Sequence, residues 1–82
     1  MQVILSKDAQ KHFNHFPASD QLKIKKKLLT LQTNPYEGKK LGGELDVYRS
    51  LRAWPYRIIY QINEDLKSIE VSDIQHRQGA YK

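Results

Sequence analysis

Residues 48–60 read YRSLRAWPYRIIY, and the period of this stretch decides the fold. From Tyr56 onward, Tyr56, Ile58, Tyr60 and Ile62 point one way and Arg57, Ile59, Gln61 and Asn63 the other, the repeat of a strand with one face to bury. DVYRSLR, residues 46–52, predicts a second strand before it. Ala53-Trp54-Pro55 is the turn between them, where proline stays out of a paired strand interior. Val47 and Leu51 ask for burial, which sends Tyr48, Ser50 and Arg52 to the open face and Arg49 inward. Either Arg49 snorkels at a sheet edge or a bulge near Ser50 shifts the register. Arg52 and Arg57 flank the turn on the open face. They either pair with Glu70 or Asp73, or they share an anion, since like charges side by side repel.

Beyond Asn63-Glu64-Asp65, a second turn, LKSIEVSDI (residues 66–74) completes a three-stranded meander. The tail then places His76, Arg77, Tyr81 and Lys82 where they can fold back over the open face. Basic, polar and aromatic groups gathered in this way suit phosphate binding and base stacking, as in recognition of single-stranded RNA.

On the other side of the hairpin, NPYEGKKLGGEL (residues 34–45) carries Pro35, Gly38, Gly42 and Gly43 and reads as a loop. It lacks the spacing of a phosphate-cradling P-loop. Before it, Ile24, Leu28 and Leu31 mark an amphipathic helix of about four turns, with Ser19 or Asp20 as its cap and Asn34-Pro35 as its end. Lys23, Lys26 and Lys27 lie on its outer flank, where they serve solvation or help to hold phosphates. SKDAQKHFNHF, residues 6–16, is a shorter helix capped by Ser6, with Ala9, Phe13 and Phe16 on one face and Pro17 ending it. MQVIL at the start is a brief strand.

The order β-α-α-β-β-β predicts an α+β fold in one domain, residues 1–82, with a helical hairpin on one face of a small antiparallel sheet. Two antiparallel helices return the chain to the end it left, so the first and second strands are expected to run in opposite directions. At 82 residues the core is small, because a domain of this size buries only about 60–65% of its unfolded surface. The absence of cysteine excludes a disulfide-framed mini-protein and thiolate metal sites. The opening apolar run is too short for a signal segment or a membrane span, which predicts a soluble, cytoplasmic protein. Fourteen Lys and Arg against nine Asp and Glu give a net charge of +5, which suits a polyanion or an acidic protein as partner.

Taken together, KKLGGELDVYRSLRAWPYRIIYQI and the later HRQGAY resemble the RelE/ParE superfamily of toxins from bacterial and archaeal toxin–antitoxin modules, with its Leu-x-Gly, Tyr-Arg and Tyr-Arg-hydrophobic-hydrophobic-Tyr pattern. LLTLQTNPY is similar to that family's exit from the second helix. The resemblance implies a toxin held inactive by a cognate antitoxin. In its RelE-type members it implies a ribosome-dependent endonuclease that cuts mRNA in the A site without metal or other cofactor, by attack of a 2′-hydroxyl on the adjacent phosphate. By position, Arg57 matches a phosphate-binding arginine, Arg77 the arginine that stabilises the transition state, and Tyr81 the C-terminal tyrosine that stacks on or orients substrate. Arg49 and Arg52 fall in the second-strand region where the family places basic groups, and with Lys82 of the tail they are the expected RNA- or phosphate-binding residues. Known RelE members carry a lysine pair where this chain has Tyr48-Arg49-Ser50-Leu51-Arg52. Arginine does not readily accept a proton, which leaves His76 as the acid or base of the set. Two alternatives stand beside this reading: a ParE-type inhibitor of DNA gyrase on the same scaffold, and a catalytically decayed relative.

Overall fold

The computed structural model describes residues 1–43 and 47–77. β1 (Gln2–Leu5) leads through Ser6 into α1 (Lys7–His15). Ser6 caps the helix by accepting the Ala9 N–H at 3.0 Å, and its hydroxyl donates to the Ser72 carbonyl at 2.7 Å. One side chain thus starts the helix and ties it to the sheet. Phe16 takes an extended conformation ahead of Pro17 and ends α1.

α2 (Ala18–Thr33) begins two residues earlier than a Ser19 cap requires and three earlier than an Asp20 cap requires. Pro17 occupies the cap position with φ −57°, and no side chain caps the helix there. Ser19 and Asp20 therefore lie within the first turn, because proline already presets the backbone that a capping side chain would have selected. Asp20 is used elsewhere, accepting the Tyr56 hydroxyl at 2.7 Å. Gln21 spans the helix junction, donating to the Phe13 and Phe16 carbonyls left over at the end of α1.

Four further strands follow: β2 (Lys39–Lys40), β3 (Arg49–Ala53), β4 (Tyr56–Asn63) and β5 (Ser68–His76). They form one five-stranded sheet in the order β1-β5-β4-β3-β2. The helices cover one face, as expected, and Ala9, Phe13, Ile24 and Leu31 pack with Leu51, Tyr56, Ile58, Tyr60, Ile69, Val71 and Ile74 in one core. No helix among the described residues is long and apolar enough to cross a membrane.

The sheet is mixed rather than wholly antiparallel. β1 pairs parallel with β5, Gln2 opposite Ser68 through Leu5 opposite Val71, while all other pairs are antiparallel. β1 and β3 accordingly run in the same direction. The expected reversal does occur after the helical hairpin, but the two-residue β2 makes it, and the chain turns once more before β3. Val47, expected in the core, is 62% exposed because β3 begins only at Arg49.

β5 runs two residues further than the predicted strand and contains a bulge. Its register jumps from Tyr60–Val71 to Ile59–Asp73, leaving Ser72 as the extra residue. Asp73 follows the bulge, and its carboxylate meets His12 Nδ1 of α1 at 2.7 Å.

Candidate functional site

The β3–β4 register runs unbroken from Arg49 opposite Tyr60 to Ala53 opposite Tyr56. Leu51, Ala53, Tyr56, Ile58 and Tyr60 all face the core. Alternation then leaves Ser50, Arg52, Arg57 and Ile59 on the uncovered face, with Arg52 directly opposite Arg57 and both exposed. The acids proposed as partners are occupied. Glu70 accepts from Gln61 and Asn63 at 3.0 and 3.2 Å, and Asp73 is held by His12 and by the Ile74 N–H. Among the described residues the salt bridges are His12–Asp73 and Lys23–Asp20, so neither arginine is neutralised.

Arg52 and Arg57 form one wall of a groove of about 620 Å³, joined by Lys39 and Lys40 of β2, Lys27 of α2 and Glu37. Five cations thus face one carboxylate among the lining groups. Lys39 and Lys40 are absent from the sequence-based set because the GKK segment reads as loop. Two residues show no alternation, and only their pairing with Ser50 and Arg49 makes them a strand. Lys27, read as solvated or phosphate-holding, is the one outer lysine of α2 that reaches this groove.

Arg49 takes the inward alternative, and no bulge disturbs β3 near Ser50. Its guanidinium donates to the Gly38 carbonyl at 2.8 Å and lies 5.0 Å from the centre of the Tyr36 ring. The Tyr36 hydroxyl donates to Glu64, and that bond keeps the phenol protonated above its ordinary range. Tyr60 completes the cluster. Its hydroxyl accepts the Gly38 N–H at 2.9 Å and donates to the Pro35 carbonyl at 2.8 Å. Burial raises the pKa of Tyr60, opposed by the Gly38 bond and the Arg49 charge. Arg49 is therefore a pin that fastens the segment preceding β2 onto the sheet, not a member of the open-face set.

At the other end of the hairpin, Trp54 and Pro55 join through a cis peptide bond. The Arg77 N–H donates to the Pro55 carbonyl at 2.8 Å, and its guanidinium lies over the Trp54 ring, 4.5 Å from the centroid. Arg77 thus stands beside the turn linking the strands that carry Arg52 and Arg57. His76 does not join them. It lies opposite Tyr56 in the register, with the two rings edge to face at 5.3 Å on the helix-covered side. The Ser72 bulge causes this, because the extra residue reverses which β5 side chains face the helices. Tyr81 and Lys82 lie outside the described residues.

Tyr56 itself is buried between His76 and Phe16, whose ring centre is 4.3 Å away. Burial, then the bond to Asp20 and the charge of that carboxylate, push the phenol up to about 12. Among the described residues no three His, Asp or Glu side chains gather as a metal site.

The arrangement is a basic, uncovered sheet face and groove, suited to a chain of phosphates. Over residues 3–81 the sequence matches the family described as ParE toxin of type II toxin-antitoxin system, parDE. The chain is 34% identical to the Methanocaldococcus jannaschii protein named "Putative toxin RelE1", over 98% of its own length and 93% of the relative's. The fold is similar to that in the RelBE2 toxin–antitoxin complex from Mycobacterium tuberculosis, with a TM-score of 0.85 at 23% identity, covering 93% of this chain and 96% of the other. It is also similar to the archaeal RelE–RelB complex from Pyrococcus horikoshii OT3, with a TM-score of 0.77 at 22% identity, covering 96% and 97%. The chain belongs to the RelE/ParE superfamily and is a toxin of a type II toxin–antitoxin system.

Proposed function

We propose that this toxin is an endoribonuclease that cleaves mRNA on the ribosome, with the open sheet face and its groove receiving the RNA. The observation that carries the reading is the pair Arg52 and Arg57, side by side, exposed and without an acid partner among the described residues, beside Lys39, Lys40 and Lys27. Such a cluster repels itself unless an anion is shared. A phosphodiester is the anion that both the groove and the family relationship favour.

In the proposed reaction a ribose 2′-oxygen attacks the adjacent phosphorus. The bond to the 5′-oxygen breaks, leaving a 2′,3′-cyclic phosphate and a 5′-hydroxyl. Arg57 holds a non-bridging oxygen and Arg77, beside the same turn, neutralises the charge that grows on the phosphorane. His76 lies on the opposite side of the sheet. The 2′-hydroxyl proton therefore leaves to solvent, solvent protonates the departing 5′-oxygen, and charge stabilisation supplies most of the rate. Tyr81 is assigned to substrate contact by the resemblance, and Lys82 by its place in the basic tail. The site uses no cofactor, and the cytoplasm, where ribosomes translate, is its compartment.

A cognate antitoxin completes the reading, because related toxins were solved in complex with theirs. An acidic segment that folds as it binds matches the basic surface. In a translation extract the protein is expected to cut mRNA in the A site. Arg77→Ala should lose most of this activity while keeping the wild-type circular dichroism. Undiminished cutting by that variant overturns the mechanism. The ParE match keeps gyrase inhibition as the second reading: blocked DNA supercoiling without mRNA cuts would reverse the order, and unaffected growth on overexpression would mark a decayed relative.

A further inference from the structure

We propose that Trp54 is a stacking platform for an unpaired nucleobase held beside the arginine cluster. The inference rests on the RNA-binding reading and adds to it the group that recognises a base rather than a phosphate. Trp54 is the only tryptophan in the chain and is 57% exposed. A large ring left in water at the tip of a two-residue turn contributes nothing to the core, whose members at this turn are its neighbours Ala53 and Tyr56. Those two anchor the turn from both sides, so the indole is presented from a fixed backbone.

Its position supports the assignment. The turn joins the strands bearing Arg52 and Arg57, so phosphate-binding groups flank the ring along the chain. Arg77 already rests its guanidinium on the indole, which shows that a planar cationic group can reach the ring. Single-stranded nucleic acid is held by this combination, cations along the backbone and an aromatic face under a base. Tyr36, the other exposed aromatic among the described residues, is committed through its hydroxyl to Glu64.

The test uses the full chain and a single-stranded oligonucleotide with 2′-O-methyl riboses, which cannot be cleaved, with inorganic polyphosphate as a base-free control. Binding is followed by oligonucleotide anisotropy, by competition with polyphosphate, and by the emission of the sole tryptophan. The oligonucleotide should quench Trp54 and polyphosphate should not. Trp54→Ala should weaken oligonucleotide binding about tenfold, as loss of one base–aromatic stack does, and leave polyphosphate binding unchanged. Trp54→Phe should retain most of the affinity. Wild-type oligonucleotide affinity in Trp54→Ala, or equal quenching by polyphosphate, overturns the stacking role while the basic-face reading stands. Failure of both polyanions to bind the wild-type protein overturns both.

Discussion

Arg52 and Arg57 stand directly opposite each other in the antiparallel register of β3 and β4, two exposed cations with no described carboxylate to separate them. Facing like charges oppose strand pairing by about 0.2–1 kcal/mol. Arg57→Gln is therefore expected to stabilise the free protein by about 0.5 kcal/mol in urea denaturation, while abolishing RNA cleavage. Polyphosphate should raise the urea midpoint of the wild type more than that of the variant. A destabilised Arg57→Gln would place Arg57 among the structural residues instead.

Arg49 differs from its neighbours on the same strand. Its bond to the Gly38 carbonyl and its approach to Tyr36 are internal contacts, and losing a charged hydrogen bond costs about 1.5–3 kcal/mol. Arg49→Ala should lower stability by about 2 kcal/mol, with part restored by lysine, whereas Arg52→Ala should remain within about 0.5 kcal/mol of wild type. Urea titration of the three variants separates the roles. Unchanged stability with lost oligonucleotide binding in Arg49→Ala would return Arg49 to the contact set.

Gly38 is small because its surroundings require it. A Cβ there would lie 2.6 Å from the Tyr60 hydroxyl oxygen and 2.9 Å from the Ser50 carbonyl oxygen. One of those contacts is with backbone, so rotating a side chain does not relieve both. Gly38→Ala should destabilise by about 1–3 kcal/mol. By shifting the adjacent Lys39 and Lys40, it should also weaken oligonucleotide binding at temperatures where the variant remains folded. Thermal melts and anisotropy read the two effects separately.

Tyr56 sets a limit at high pH. In the unfolded chain a tyrosine ionises near its ordinary value of about 10, whereas in the folded protein Tyr56 holds its proton up to about 12. Between those values only the unfolded chain has released the proton, so rising pH favours unfolding. The stabilisation is complete below pH 10 and is lost as pH rises toward about 12. Tyr60, also raised, acts in the same direction. Urea midpoints across the alkaline range should fall less steeply for Tyr56→Phe than for the wild type, and equal slopes would contradict the assignment.

Alternation made β4 legible because eight residues repeat a two-residue period with one side uniformly apolar. It also placed Arg52 and Arg57 on the open face. Ser6 and Pro17 revealed the limits of α1 because each acts on the backbone beside it. Pairing partners are a different matter. The apolar run of β1 says that it is a strand, but nothing local says that it lies parallel to β5. β2 has no period to read. His76 was misplaced by one event, the bulge at Ser72, which a pattern of polar and apolar residues cannot distinguish from the end of a strand. The lysines of the groove escaped for a related reason, since Lys27 and Lys39 come together only after α2 and β2 have both docked.

The parallel pairing of β1 with β5 also orders events in time. β3, β4 and β5 are joined by short turns and can pair as soon as each strand is available, whereas closing β1 onto β5 must gather a chain segment that includes both helices. During synthesis β1 precedes its partner β5 by two helices and three strands, so its edge is satisfied only after that span has been made. The sheet that carries the arginines is thus assembled from its C-terminal side, and docking of the N-terminal strand is the step that completes it.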